Sequence, residues 1–263
     1  MKSLFVLRNQ RRFVYLIDLL RELVFRDMKL KYKDSVLGMA WSFINPLLYV
    51  FIFYVIFQLV LSFDISHYPV FVLIGILTYN WFQLSLIQAS GVIKDSRELI
   101  RHPGFPVAIL PMTSVVSNLI NYLIAVPIIV VIVLISGIRL MPSIAFLPVL
   151  MGIQFFFILG LAYLVAVVNV FFRDTQHILT VLLWLYFFLT PIFYDLSLVP
   201  KQYKFLYLLS PLAHLVDAYR AVFIKGILPD LVPLIIILMS SVLILGFSFR
   251  LYSRASSRFV EEV

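Results

Sequence analysis

Six long gaps between charged residues limit the folds open to this chain more than any other feature of its sequence. No Asp, Glu, Lys or Arg occurs in residues 35–63, 65–93, 102–138, 140–172, 175–194 or 231–249, runs of 29, 29, 37, 33, 20 and 19 positions. A bilayer-spanning helix needs about 20 apolar residues, and a charge near the bilayer centre costs at least about 2.5 kcal/mol. The gaps therefore predict an all-α integral membrane protein with six transmembrane helices near 37–61, 70–92, 107–135, 144–170, 176–194 and 231–251.

Composition agrees, since 63% of residues are hydrophobic and 13% charged, against about a quarter charged in a soluble domain. The net charge of +8 does not point to nucleic acid. The bases flank apolar runs, where they act as topology signals and contacts to anionic lipid head groups. There is no cysteine, so neither disulfides nor thiol chemistry is available. No cleavable signal peptide is expected, because the first 34 residues carry scattered charges and no clean apolar core. Span one is expected to serve as the insertion signal.

Ahead of span one, Phe13, Leu16, Ile17, Leu20 and Val24 recur at helical spacing, with Asp18, Arg21 and Glu22 elsewhere on the wheel. That pattern predicts an amphipathic helix lying on the membrane surface. It ends in the bases Arg26, Lys29, Lys31 and Lys33, immediately before the first uncharged run. The expected organisation is one membrane domain over 1–263, with 1–34 an interface helix and 35–263 the six-span body.

The distribution of Lys and Arg sets the expected orientation. With a cytoplasmic N-terminus, 16 of the 21 bases fall on the cytoplasmic side, and only Arg139, Lys201, Lys204, Arg220 and Lys225 lie outside. Both termini are then cytoplasmic, as is the loop between spans two and three. Within that loop, Asp95 and Glu98 have capping-box spacing and His102, Pro103 and Gly104 supply a stop. A helix of about two turns is expected over Asp95, Ser96, Arg97, Glu98, Leu99, Ile100 and Arg101. It is either a solvated connector or an element that docks on a partner.

Arg173 and Asp174 form an adjacent pair in a tight turn between spans four and five, and His177 has no second ligand at metal spacing. The last external stretch is apolar but interrupted by Pro191, Pro200, Pro211 and Pro229. Its pieces are too short to span, so re-entrant or interfacial helices are expected near 200–209 and 212–225. Along span one, Trp41, Asn45, Tyr49, Phe53 and Phe57 form a drifting, mostly aromatic stripe. Such a stripe packs helices or contacts lipid, or it lines a path along which sugar rings slide by stacking their CH faces.

The chain has no phosphate-binding G-x-x-x-x-G-K-[ST] sequence, so energy from ATP would have to come from another subunit. Every acidic residue lies outside the expected spans, which disfavours a proton relay.

Three stretches resemble the permease subunits of ABC exporters that move lipid-linked polysaccharides, the O-antigen, capsule and teichoic acid branch. The first is Arg26-Asp27-x-Lys29-x-Lys31-Tyr32-Lys33-x-Ser35-x-Leu37-Gly38-x-x-Trp41-Ser42-x-x-Asn45-Pro46-Leu47. A second is Leu99-Ile100 followed by Phe105-Pro106, where many relatives have a base at the position of Val107. The third is the hairpin between spans five and six closing on Tyr219-Arg220, with Ser210-Pro211 where relatives usually have Asn-Pro.

The resemblance implies a homodimer working with two ATPase subunits that hold ATP and Mg, and an undecaprenyl-diphosphate type lipid-linked polysaccharide as substrate. It makes the loop helix a coupling helix. It also makes Arg26, Lys29, Lys31 and Lys33 a lipid-diphosphate or interface cluster, and Pro200, Ser210, Pro211, Asp217, Tyr219 and Arg220 parts of an external gate hairpin.

Rival readings are a permease of the same superfamily for drugs or simple lipids, a membrane glycan polymerase or ligase, and a structural scaffold. A polymerase or ligase should cluster catalytic groups in an outer loop, whereas Asp64, Asp195, Asp217 and Asp230 are scattered along the sequence.

Overall fold

A computed structural model of the chain describes residues 2–33, 37–62, 64–172, 174–256 and 259. Regular structure among them is entirely helical. The elements are α1 (Lys2–Tyr32), α2 (Trp41–Phe53, continued by π-helical turns over Tyr54–Val60), α3 (Tyr68–Asp95), α4 (Arg97–Ile100) and α5 (Ile109–Ile135). They are followed by α6 (Leu147–Phe171), α7 (Thr175–Leu189), α8 (Lys204–Leu208), α9 (Pro211–Arg220, with π-helical turns over Ala221–Lys225) and α10 (Leu231–Ala255).

Among the described residues, five stretches are long and apolar enough to cross a membrane: Phe43–Val60, Tyr68–Asp95, Ile109–Ile135, Pro142–Phe171 and Leu231–Ala255. The expected span at 176–194 forms only the 15-residue α7. At 1.5 Å per residue that helix is about 22 Å long, short of the roughly 30 Å hydrocarbon core. Its end has a local cause. Thr190 precedes Pro191, a position that disfavours the α region, and it adopts extended backbone with its hydroxyl donating to Tyr186 O at 2.8 Å.

α3 is the centre of the bundle. It packs against α2, α5, α6, α7 and α9, and a helix that is apolar all round must be enclosed in this way. Where backbones approach closely the sequence supplies glycine. A Cβ on Gly75 would meet Ile192 Cγ2 at 3.0 Å and Arg220 Nη2 at 3.1 Å, and one on Gly160 of α6 would meet Leu245 N of α10 at 3.1 Å. Buried side-chain donors tie helices to neighbouring backbone. Gln154 Nε2 donates to Thr78 O at 2.9 Å, Tyr163 OH to Ala108 O at 2.7 Å, and Tyr79 OH to Leu183 O.

α1 runs 31 residues within the expected 1–34 interface segment, and it lies against α5. It turns Leu16, Leu19, Leu20, Leu23 and Val24 inward, while Phe13 and Ile17 are exposed. Apolar residues cover two overlapping stripes of this helix. The stripe at i, i+3, i+4 and i+7 from Leu16 meets α5 and is the one buried.

Candidate functional site

Side-chain contacts between elements sort the loops into two ends. At one end lie α1, α4, the C-terminal half of α3 and the starts of α5 and α7. The other holds residues 61–62 and 64–67 and the stretch from α7 to α10.

At the α1 end, α4 is a single turn, shorter than expected. Asp95 is the last residue of α3, and Ser96 occupies the N-cap of α4 without a side-chain hydrogen bond, so the expected capping box does not form. The Asp95 carboxylate lies back over α3 instead: a Cβ on Gly91 would meet Asp95 Oδ2 at 3.1 Å and Gln176 Nε2 at 3.3 Å. Ile100 is buried, Leu99 packs against the core, and Arg97, Glu98 and Arg101 face outward. One residue, Ser96, separates this turn from α3, so a push on α4 is delivered to the helix at the centre of the bundle.

The bases Arg26, Lys29, Lys31 and Lys33 are all exposed at the end of α1. Asp27 among them bonds to Arg26 at 3.4 Å and accepts from Gln88 Nε2 at 3.1 Å, while Gln88 Oε1 accepts from Asn118 Nδ2 at 2.9 Å. This chain of groups fastens α1 to α3 and α5. Burial raises the Asp27 carboxyl, with Arg26 opposing. Arg173, expected beside Asp174, lies outside the described residues.

The span-one stripe divides. Trp41 and Asn45 line an open cavity of about 440 Å³ between α1, α2, α3 and α5, together with Lys31, Asn80, Trp81 and Asn121. Tyr49 is 53% exposed on the outer face of α2. Phe53 and Phe57 enter an aromatic cluster, their rings stacked on Phe193 at 5.5 and 5.0 Å between centroids, with Phe187 beside Phe53 at 6.2 Å.

At the far end, the hairpin helices expected at 200–209 and 212–225 are found as a 3-10 turn over Lys201–Tyr203 leading into α8, and as α9 with its π-helical turns. Pro200 precedes that 3-10 turn. Ser210 is the N-cap of α9, accepting from Ala213 N at 3.3 Å and meeting Tyr186 OH at 2.7 Å, and Pro211 takes the first helical position. The turn thus keeps its cap with Ser in place of Asn.

Arg220 is the fixed point of this end, 4% exposed. Its guanidinium donates to Pro191 O at 2.7 Å, to Ile192 O at 2.7 Å and to Phe71 O at 3.2 and 3.3 Å, and it lies 3.3 Å over the Phe71 ring. It pins α9 to α3 and to the chain leaving α7. Burial lowers its pKa to about 9, opposed by the charges of Asp217 and Asp195. Tyr219 beside it is fully buried, its ring 5.9 Å from that of Tyr122.

The four acids expected on the outer side, scattered in sequence, are gathered here. Asp64, Asp195 and Asp217 line one cavity of about 410 Å³ with Arg220 and Lys225. Asp230 joins Asp217 and Lys225 at the adjoining one. Asp217 pairs with Lys225 at 3.5 Å, Asp230 caps α10 through Val232 N at 3.0 Å, and Asp195 accepts from Ser197 N at 2.8 Å. Among the described residues no group of three or more His, Cys, Asp or Glu is placed to hold a metal ion.

Sequence reasoning singled out neither Gln88, Asn118, Asn80, Asn121 nor Trp81. The available signal was an amide inside an otherwise apolar run, where a polar side chain is expensive unless it has a partner or a role.

The chain matches the family model described as ABC-2 type transporter over residues 18–224. It is 34% identical over 247 residues to an O-antigen export system permease protein of Myxococcus xanthus, covering 93% of this chain and 95% of the relative. Identity is 31% over 217 residues to an O-antigen export system permease protein of Klebsiella pneumoniae, covering 81% of this chain and 83% of the relative. A polysialic acid transport protein of Escherichia coli is 26% identical over 236 residues, covering 88% and 90%.

Proposed function

Because the chain belongs to the ABC-2 type transporter family, we propose that it is the membrane-spanning permease of an ATP-driven exporter of lipid-linked polysaccharide, with O-antigen as the cargo class. The observation that carries this reading is 34% identity over 93% of the chain to a relative named for O-antigen export. Its similarity to a polysialic acid transport protein favours capsular polysaccharide as the second reading. The protein is multi-pass in either case, with five helices long and apolar enough to cross the membrane.

In this reading the permease is a homodimer in the bacterial inner membrane, bound to two ATPase subunits that hold ATP and Mg. Both termini are cytoplasmic, and α7 with residues 190–194 makes the sixth crossing. The ATPase grips α4 through Arg97, Glu98 and Arg101 and moves α3. α2 and α7 are the spans free to part, because most of their large apolar side chains are exposed in a single copy, among them Tyr49, Phe51, Trp184 and Phe188. The basic end of α1 receives the diphosphate, and the α8–α9 hairpin gates the outer side.

Deleting the gene tests this reading. Surface polysaccharide should disappear while finished lipid-linked polymer accumulates on the cytoplasmic face, and the plasmid-borne gene should restore export. Accumulation of short, unpolymerised units in its place would contradict the reading and favour a polymerase.

A further inference from the structure

The side chains of α7 face mostly outward, with Leu183 its one buried residue among those described, so side-chain packing holds little of this helix. Three buried side chains from neighbouring helices grip its backbone instead. Tyr79 of α3 donates to Leu183 O at mid-helix, and Arg220 of α9 donates to Pro191 O and Ile192 O just beyond the end. At the start, Asn169 of α6 accepts from Gln176 N at 3.1 Å.

The contact at the start does more than steady a helix end. The first N–H groups of a helix have no partner within it, and Asp174, at the N-cap of α7, makes no side-chain hydrogen bond there. Asn169 supplies that cap from the preceding helix. Its Nδ2 meanwhile donates to Ser90 O of α3 at 2.8 Å, so one carboxamide, 8% exposed, joins α3, α6 and α7. Gln176 N only donates and Ser90 O only accepts. Among side chains of this size, asparagine alone offers both an acceptor and a donor, and such amides are what tie one membrane helix to another.

The joint sits beside α4. Ser90 lies about 7.5 Å along α3 from Asp95, the residue before the Ser96 cap of α4. Gly91, next to Ser90, lets the Gln176 side chain rest on the α3 backbone. A displacement of α3 at α4 therefore reaches the start of α7 through hydrogen bonds.

We propose that Asn169 is the positioning residue that makes α7 follow α3: it locks the ends of α3, α6 and α7 beside α4 into one unit, so that a push on α4 moves the α7 wall. This rests on the export reading and adds to it the route by which ATPase motion reaches a span free to part.

The chain has no cysteine, so Val181→Cys, 61% exposed on α7, takes a single bimane. The test uses this labelled permease with a cysteine-free form of its ATPase, in vesicles loaded with lipid-linked polysaccharide. Trapping with ATP and vanadate should shift the bimane emission. Asn169→Leu should lose the shift and about tenfold of the polymer exported per ATP, within the usual range of a coupling between sites, while ATP hydrolysis and assembly stay close to wild type. Gln176→Pro removes only the N–H that Asn169 accepts, at a helical turn that tolerates proline, and should match it. The double variant should lose no more than either single one, because both cut the same bond. Gln176→Ala keeps the N–H and should keep the shift.

An unchanged bimane spectrum in a wild-type complex that exports polymer overturns the proposal, whether or not any variant folds, and leaves the export reading standing. A normal shift in Asn169→Leu, or a lost shift in Gln176→Ala, overturns it as well. So does a fall in export matched by a fall in assembly, which makes Asn169 a structural residue only. A wild-type complex that exports no polymer removes the reading and the proposal together.

Discussion

α3 and α2 are both apolar enough to cross a membrane, yet 78% of the most apolar window of α3 is buried in the protomer and 11% of that of α2. One helix is the scaffold on which the others are mounted, and the other is a wall with one side unused. The difference lies in small residues and anchors. Gly75 and Gly91 in α3 admit Ile192, Arg220 and Gln176 at close range, whereas α2 presents Leu47, Leu48, Tyr49, Phe51 and Ile52 outward. A helix lined with bulky exposed groups is available to lipid, to a second copy or to a moving polymer. The enclosed helix is suited to carry force to it.

The largest expected effect strikes the scaffold. Arg220→Ala orphans the carbonyls of Pro191 and Ile192, each at a cost of about 1–3 kcal/mol, and removes the guanidinium from the Phe71 carbonyl. Detergent-solubilised protein should melt far below wild type and lose its assembled peak in size-exclusion chromatography. A wild-type melting curve would break the scaffold half of the comparison.

Next comes the link that drives the scaffold. Leu99→Pro removes the only turn of α4 and should abolish export while the chain still inserts and dimerises, with ATP hydrolysis no longer tied to transport. Normal polymer export by this variant would reduce α4 to a connector.

The wall itself should separate into two kinds of aromatic residue. Phe193 is 8% exposed, stacked on Phe53 of α2 and edge-on to Phe188 of α7, so Phe193→Ala should cost about 3–5 kcal/mol on the soluble-protein scale. Tyr49→Ala should leave stability within about 0.5 kcal/mol and still slow export or alter the length distribution of the polymer. Equal losses of stability in the two variants would erase the distinction.

The smallest effect is electrostatic and sits at the far end. Burial alone would raise the Asp195 carboxyl, but the Ser197 amide and hydroxyl, with the charges of Arg220 and Lys225, hold it below the usual carboxylate value. Its contribution is fully present above the ordinary aspartate value of about 4 and is lost as pH falls below that value through the depressed one. Thermal stability measured from pH 7 to pH 3 should therefore fall less steeply in Asp195→Asn than in wild type. Identical slopes would remove Asp195 from the far-end charge network.

Much of the frame was legible in the sequence, because charge spacing reports what a bilayer tolerates. Five of the six expected spans are matched by apolar stretches long enough to cross, and the two hairpin helices fall where prolines delimit them. Position along the chain was informative for such local features and silent about convergence. Asn45, Asn80, Asn118 and Asn121 meet only once α2, α3 and α5 are packed, and nothing in their spacing announces it. The outer acids look scattered for the same reason, since Asp64 reaches Asp195 and Asp217 through the fold. Arg220 was placed at the close of the hairpin, but its burial was not foreseen because its partners are backbone carbonyls, which leave no mark on side-chain patterns. The inward face of α1 was misplaced where two apolar stripes overlap and the neighbouring helix decides.

The central claim is that this chain forms the path for a finished lipid-linked glycan driven by a separate ATPase. Inside-out vesicles containing the permease, its ATPase and a fluorescent lipid-linked polysaccharide test it directly, by the fraction of polymer that becomes protected from added glycosidase. Protection should rise only with hydrolysable ATP, stay at background with Leu99→Pro, and leave polymer length unchanged. Protection that develops without ATP, or a polymer that lengthens during the assay, would contradict the account.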